Sequence, residues 1–172
     1  MMALFQGVVS WEELSFGLVA SEQGLSAVIL PYAWQGAQHP AHGLPENPSL
    51  LEPYCHAFEE YFRGIRDPWD LPLDITGTSF QKEVWRALCH IPYGTTLSYG
   101  ALAQMVGRPR AVRAVALAVG KNPLPVVLPC HRVVGYDGTL TGYRGGLRLK
   151  ERLLALEGVQ GIAPKGHLRF QF

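Results

Sequence analysis

The sequence predicts an α/β chain in two parts, a small amino-terminal antiparallel sheet with a helix, then a mainly helical, winged-helix-like part built on a helix-turn-helix. Three observations predict it. The first third alternates short apolar pieces with polar turns, the part beyond residue 78 shows helical apolar spacing, and the charge changes sign between the halves. Met1 to Glu83 holds eleven acidic residues against Arg63, Arg66 and Lys82, a balance of −8, whereas Val84 to Phe172 holds twelve basic residues against three acidic ones, a balance of +9. With 172 residues and 48% hydrophobic content the chain can bury one good core or two small ones.

Taken in order, Gly17-Leu18-Val19-Ala20 and Leu25 to Leu30 read as strands joined by a hairpin loop at Ser21-Glu22-Gln23-Gly24. Residues 35–48, rich in Gly, Pro and His, read as a loop. Ser49-Leu50-Leu51-Glu52 resembles a capping box that opens a helix, with Leu51, Tyr54, Phe58, Tyr61 and Phe62 on its apolar face, Pro53 in its first turn and Gly64 at its end. The Pro- and Asp-rich passage Pro68 to Asp74 reads as the connection between domains, which places one domain at 1–74 and the other at 78–172.

A second capping box at Thr78-Ser79-Phe80-Gln81 opens a helix with Phe80, Val84, Trp85 and Leu88 on one face. Behind a Ser98 cap, Tyr99 to Val106 is helical; Gly107-Arg108-Pro109-Arg110 breaks the pattern, and Ala111 to Val119 forms a second helix closed by Gly120. Ala111, Ala114, Ala116 and Ala118 surround a single Arg113. Such a bare surface suits close approach to a DNA minor groove or backbone, and equally suits packing on a neighbouring helix. No Asp or Glu occurs between Val84 and Tyr136, while Arg86, Arg108, Arg110, Arg113, Lys121 and Arg132 all do. A polyanion is the natural partner, with a merely solvated basic face as the alternative.

Lys121-Asn122-Pro123 then turns the chain into the strand-like Val126-Val127-Leu128, which delivers Cys130 within Pro129-Cys130-His131-Arg132-Val133-Val134. Neighbouring cationic side chains lower a thiol pKa, so a reactive sulfur is expected, against the alternative of a structural Cys in an apolar run. Cys55, Cys89 and Cys130 make an odd count without a C-x-x-C pair, which argues against a disulfide framework and fits a reducing, cytoplasmic setting. Cys55 and Cys89 fall in helical patterns as packing residues. His39, His42, Cys55 and His56 lack a recognisable ligand spacing, so no metal is expected. No stretch of about 18 uncharged apolar residues is present, and no membrane partner is expected.

Through Phe80-Gln81, Val84-Trp85, Ile91-Pro92-Tyr93-Gly94, Ser98-Tyr99, Arg113-Ala114-Val115, Asn122-Pro123, Pro129-Cys130-His131-Arg132-Val133-Val134, Gly142-Tyr143 and Gly145-Gly146-Leu147, the chain resembles the O6-alkylguanine-DNA alkyltransferases, the methylated-DNA-protein-cysteine methyltransferases. The resemblance runs from about Phe80 to Gly158. It implies a ribonuclease-H-like first domain and a monomeric DNA repair protein that flips O6-alkylguanine out of duplex DNA and moves the alkyl group irreversibly to Cys130, once per molecule and without a cofactor. O4-alkylthymine as a second lesion stays open.

The resemblance also assigns roles. Cys130 is activated through His131, a water and Glu157; Tyr99 contacts the flipped nucleotide and supplies a proton; Arg113 fills the gap in the base stack, with Arg110, Ala111 and Ala114 on the same DNA-binding element. Asn122 ties the helix-turn-helix to the active-site strand, and Pro125, Val133, Tyr143, Arg144 and Gly145 belong to the base pocket. Glu157 also draws notice on physical grounds, because a negative charge at the carboxyl end of the helix Leu147 to Leu156 opposes the macrodipole and calls for compensation, although the penalty is small and an exposed Glu there would be commonplace. Ala116 stands where glycine is common in the family. Rival readings are a non-catalytic lesion-binding relative, which would lack the cysteine, a winged-helix regulator, which leaves Pro-Cys-His-Arg unexplained, and a cysteine hydrolase, for which an adjacent His131 is poorly placed.

Overall fold

The computed structural model describes residues 1–36 and 38–162, and residue 37 and the final ten positions of the expected second domain fall outside it. The chain divides into two compact units, Met1–Thr76 with Pro123–Val127, and Gly77–Asn122 with Leu128 onward. The sequence reading had kept 123–127 with the second part. These residues join the first unit instead, where the carbonyl of Pro123 accepts the Val28 N–H at 2.9 Å.

In the first unit β1 (Phe5–Trp11), β2 (Leu14–Ser21) and β3 (Gly24–Ile29) form an antiparallel sheet in the order β1-β2-β3. Phe16, Leu18 and Ala20 point to one face of β2 and are fully buried, and Gly17, Val19 and Ser21 on the other face are buried as well, as befits the central strand of the sheet. Burial is weaker in β1, an edge strand that the sequence reading did not find. At Gly17 the backbone runs under the Trp34 ring of α1 (Pro31–Trp34), and a Cβ there would lie 2.1 Å from a ring carbon.

Helix α2 (Pro48–Phe62) lays Leu51, Tyr54, Ala57, Phe58 and Tyr61 onto the sheet. Its cap is Asn47, whose Oδ1 accepts the Leu50 N–H at 3.2 Å, not the expected Ser49; Asn47-Pro48 combines a side-chain acceptor with a proline at the first helical position, and so starts the helix earlier. Pro53 consequently sits inside the helix, on its exposed side, rather than in the first turn. The passage Pro68 to Asp74 is not a free connection. Leu73 bridges to Leu25 in parallel, Leu25 N–H donates to Pro72 O at 3.1 Å, and Trp69 meets Phe58 edge-on with centroids 4.9 Å apart. The aromatic and leucine content of this stretch, which the prolines mask, is what docks it. His39 accepts the Ala41 N–H in a short turn and His42 packs edge-on against Trp34.

The second unit starts at α3 (Ser79–Leu88), where the capping box of Thr78 and Gln81 is formed in both directions. β4 (Leu97–Ser98) pairs in parallel with β5 (Val133–Val134), and α4 (Tyr99–Met105) and α5 (Val112–Gly120) form the helix-turn-helix. Ala111 is the N-cap residue of α5 rather than part of it. Trp85 of α3 donates its indole N–H to Ala118 O at 2.8 Å, so the small residues on that side of α5 serve packing. A short 3₁₀ turn, Cys130–Arg132, leads into β5, and α6 (Leu147–Leu156) closes the described fold.

Candidate active site

Cys130 opens the 3₁₀ turn and is buried, whereas Cys55 is half-buried and Cys89 exposed, so Cys89 is not the packing residue expected of it. Its approach is fixed from both sides. The Asn122 side-chain amide donates to Leu128 O at 2.7 Å, the Cys130 N–H donates to the same carbonyl at 2.7 Å, and Arg144 donates to Asn122 O at 2.7 Å. Asn122 and Arg144, far apart in sequence, thus brace the two-residue approach to the cysteine.

His131 and Arg132 turn the other way, onto Glu157. His131 Nε2 lies 2.7 Å from Glu157 Oε1; Arg132 donates Nε–H to Oε2 at 2.9 Å and Nη2–H to Oε1 at 3.0 Å, and its Nη1 reaches Ile91 O at 2.7 Å. The Gly94 N–H adds a further donor to Oε2 at 3.1 Å. Glu157 caps the carboxyl end of α6, and this fork-to-fork pairing is the compensation its position demands. Gly94 is needed in place: its φ is +77°, and a Cβ would stand 2.9 Å from the Glu157 carbonyl oxygen. Tyr93 completes the clamp, its ring under the Arg132 guanidinium and its hydroxyl donating to Leu156 O at 3.3 Å.

These contacts correct one sequence expectation. Burial pushes the Cys130 thiol up, opposed by the Asn122 amide and by the charges of Lys150 and Arg144, while Arg132 is committed to Glu157. The resting sulfur is therefore a thiol. Burial likewise lowers His131, against the pull of Glu157, so the imidazole is neutral. A carboxylate only accepts, so Nε2 carries the proton and Nδ1 is the basic nitrogen.

Tyr99 begins α4, and burial raises its hydroxyl pKa, opposed by Thr141 and reinforced by Cys130. Tyr143 is raised well above its ordinary value by burial and then by Cys130, which places both phenols, in neutral form, in the field of the sulfur. Val133 is fully buried in β5 and Gly145 half-buried before α6. Pro125 is buried in the segment that packs with the first unit. On the helix-turn-helix, Arg110, Arg113 and Ala114 are exposed and Ala111 is half-buried, but so are the larger Val112, at 36%, and Leu117, at 63%. The α5 surface is thus less bare than its alanines suggested. Arg108 lies over Phe80 and pairs with Glu83 at 3.2 Å.

The sequence reading missed Lys150, Thr141 and the pairing of Arg132. A signal for Lys150 was present, since Lys150, Leu154 and Glu157 recur at helical spacing on the buried side of α6.

Comparison with known proteins places this geometry. The family described as 6-O-methylguanine DNA methyltransferase, DNA binding domain, matches residues 79–159. A Bacillus subtilis inducible methylated-DNA-protein-cysteine methyltransferase is 46% identical over 126 residues, 73% of this chain and 70% of that protein. One from Methanosarcina barkeri is 45% identical over 140 residues, 81% of this chain and 88% of the relative. The crystal structure of Mycobacterium tuberculosis O6-methylguanine methyltransferase superposes with a TM-score of 0.80 at 36% identity, over 90% of this chain and 92% of the other; that of the M. tuberculosis OGT in complex with DNA gives 0.77 at 37%, over the same shares. With a buried Pro-Cys-His-Arg turn anchored to a glutamate behind a helix-turn-helix, and relatives of this similarity along most of its length, the chain belongs to the methylated-DNA-protein-cysteine methyltransferase family.

Proposed function

We propose that Cys130 accepts the alkyl group from O6-alkylguanine in double-stranded DNA, once per molecule. The observation that carries this is the run of contacts from His131 through Glu157 to Arg132, which begins next to the buried cysteine. The thiol proton passes to the basic nitrogen of His131 through an intervening water, and Glu157 stabilises the imidazolium that forms. The sulfur then attacks the alkyl carbon: the S–C bond forms as the C–O6 bond breaks, and the electron pair departs with guanine. Tyr99, kept protonated by its surroundings, gives guanine its proton and recovers one from solvent while the His131 imidazolium releases its proton to solvent, so the net change moves one proton from the thiol to the base.

A base inside the stack cannot reach a buried sulfur, so the nucleotide must be extruded, against an unstacking cost of about a few kcal/mol. Exposed Arg113 of α5 fills the gap, with Arg110, Ala111 and Ala114 along the same face, and Tyr143, Gly145 and Val133 enclose the base. The product is a thioether, and no group among the described residues of the site offers a route to remove it. The protein works as a monomer in the cytoplasm, on DNA and without a cofactor. The relatives' names and the DNA complex of the M. tuberculosis protein support this reading.

The decisive measurement is the mass of the protein after incubation with a duplex carrying one O6-methylguanine. One added methyl on the Cys130 peptide, saturating at one per molecule, is expected, with none in Cys130→Ser and unchanged duplex binding by that variant. A wild-type protein that binds the lesion yet stays unmodified is a non-catalytic reader, and the proposal fails.

A further inference from the structure

Lys150 is the one buried lysine among the described residues, and the mechanism above leaves it unused. Its side chain, fully enclosed in α6, donates to Val133 O at 2.5 Å and to Thr141 O at 3.3 Å. No carboxylate among the described residues lies within ion-pair distance of it. Glu157, on the same side of the helix two turns on, is taken up by His131, Arg132 and Gly94. A buried ammonium held only by carbonyl oxygens is an incomplete arrangement, because such ions are kept charged by a partner of opposite sign. α6 packs against the 3₁₀ turn that carries Cys130, and the Val133 carbonyl that Lys150 binds follows directly on that turn, so the acidic group brought to Lys150 is the Cys130 thiol, and the effect of each on the other is mutual.

We propose that the ammonium group of Lys150 is the counter-charge against which the Cys130 thiolate forms, held in position by the Val133 and Thr141 carbonyls. Lys150 is a positioning residue, since it acts on the sulfur through its field and never touches the alkyl group. The inference rests on Cys130 being the acceptor. The same side chain ties β5 to the loop that carries Thr141.

Burial lowers Lys150 to about 8, with Cys130 as the opposing influence. Its charge is present below that pH and lost above it, while the thiol ionises in the opposite direction. The charged and titratable groups facing the sulfur are Lys150 of α6, Arg144 of the loop before it, Tyr143 and Tyr99; His131 and Cys130 of the 3₁₀ turn face Lys150. Each enters the profile below, and the comparison of Lys150 variants isolates one.

The experiment follows methylation of Cys130 by methyl iodide, in which the S–C bond forms and iodide leaves, with no DNA, extrusion or Tyr99 proton involved. Rates are taken by mass from pH 6 to 10 for the wild type, Lys150→Gln and Lys150→Arg. Loss of the charge is expected to lower the rate roughly tenfold between pH 6 and 7.5, where the ammonium is present, with Arg restoring most of it and the difference between wild type and Gln fading above about 8. Superimposable profiles for the three proteins overturn the proposal. Should Lys150→Gln lack a native near-ultraviolet spectrum, the wild type alone decides: ¹⁵N NMR titration of the Lys150 side chain should show, beyond its own midpoint at about 8, a second step where Cys130 ionises that disappears once Cys130 is methylated, and a curve without that step in either form sinks the idea. If the wild type takes no methyl from an O6-methylguanine duplex, the reading of Cys130 fails instead, whatever the iodide profiles show.

Discussion

The two units build their interiors from different materials. Among the described residues, the buried set of the first is apolar and aromatic with a single polar member, Ser21, bonded to Asp74 at 2.6 Å; in the second, Asn122, His131, Arg132, Lys150 and Glu157 are all buried. Removing charges from water costs several kcal/mol per ion, and for the pair Arg132–Glu157 that cost is met by bidentate geometry and added donors. The first interior is a device for stability. The second accepts a weaker balance in order to hold an imidazole neutral and a thiol out of water.

This contrast breaks most plainly where two substitutions of similar cost should part in their chemistry. Phe58, fully buried against Trp69, Phe16 and Phe62, should destabilise the protein by about 3–5 kcal/mol when truncated to Ala. Arg132→Met leaves the buried Glu157 without its fork and should lose about the same. At a temperature where both variants stay folded, Phe58→Ala should transfer methyl at the wild-type rate, and Arg132→Met at least about tenfold more slowly. Equal rates per folded molecule would show that the buried charges serve stability after all.

A smaller effect sharpens the same point through pH. His131 is depressed from its ordinary 6.5, chiefly by burial, so the folded protein binds fewer protons there than the unfolded chain. Its burial contributes stability that is present above 6.5 and lost as pH falls through the lower folded value. Transfer from a duplex should therefore change between pH 7.5 and 6.5 by less than the roughly 1.8-fold that an imidazole of ordinary pKa would give, because the neutral form persists further down. A rate that falls with a midpoint at or above 6.5 would mean a histidine in ordinary surroundings.

Much of this division was legible beforehand. The capping box at Thr78, the break at Gly107 and the Pro-Cys-His-Arg run are local signals, and local chemistry decides them. The oddity of a glutamate at the end of α6 was visible, but its partners were not, since Arg132 lies 25 residues away and Gly94 lies 63. Edge strand β1 escaped because only Val9 along it is buried, which leaves no apolar alternation to read, and Asn47 took the cap from Ser49 because Pro48 pre-sets the first helical φ. The thiol pKa was argued in the wrong direction: adjacency in sequence said nothing of where the Arg132 guanidinium points.

The smallest expected effect lies on the exposed face of α5. Leu117 follows Arg113 by one turn, so both project from the same face, and Leu117 is 63% exposed in a segment that carries no acid. Nothing in the second interior depends on it, and Leu117→Ala should leave stability within about 0.5 kcal/mol of wild type. If α5 meets the duplex through apolar as well as cationic side chains, the variant should repair O6-methylguanine in a duplex about fourfold more slowly, the equivalent of one methylene no longer buried. Transfer from the free base O6-benzylguanine should not change, because that reaction needs the interior chemistry and no contact with a groove. Arg113→Ala makes the matching control, slowing the duplex reaction while sparing the free base. A Leu117→Ala protein that matches the wild type on both substrates would assign DNA contact on this face to the cations alone.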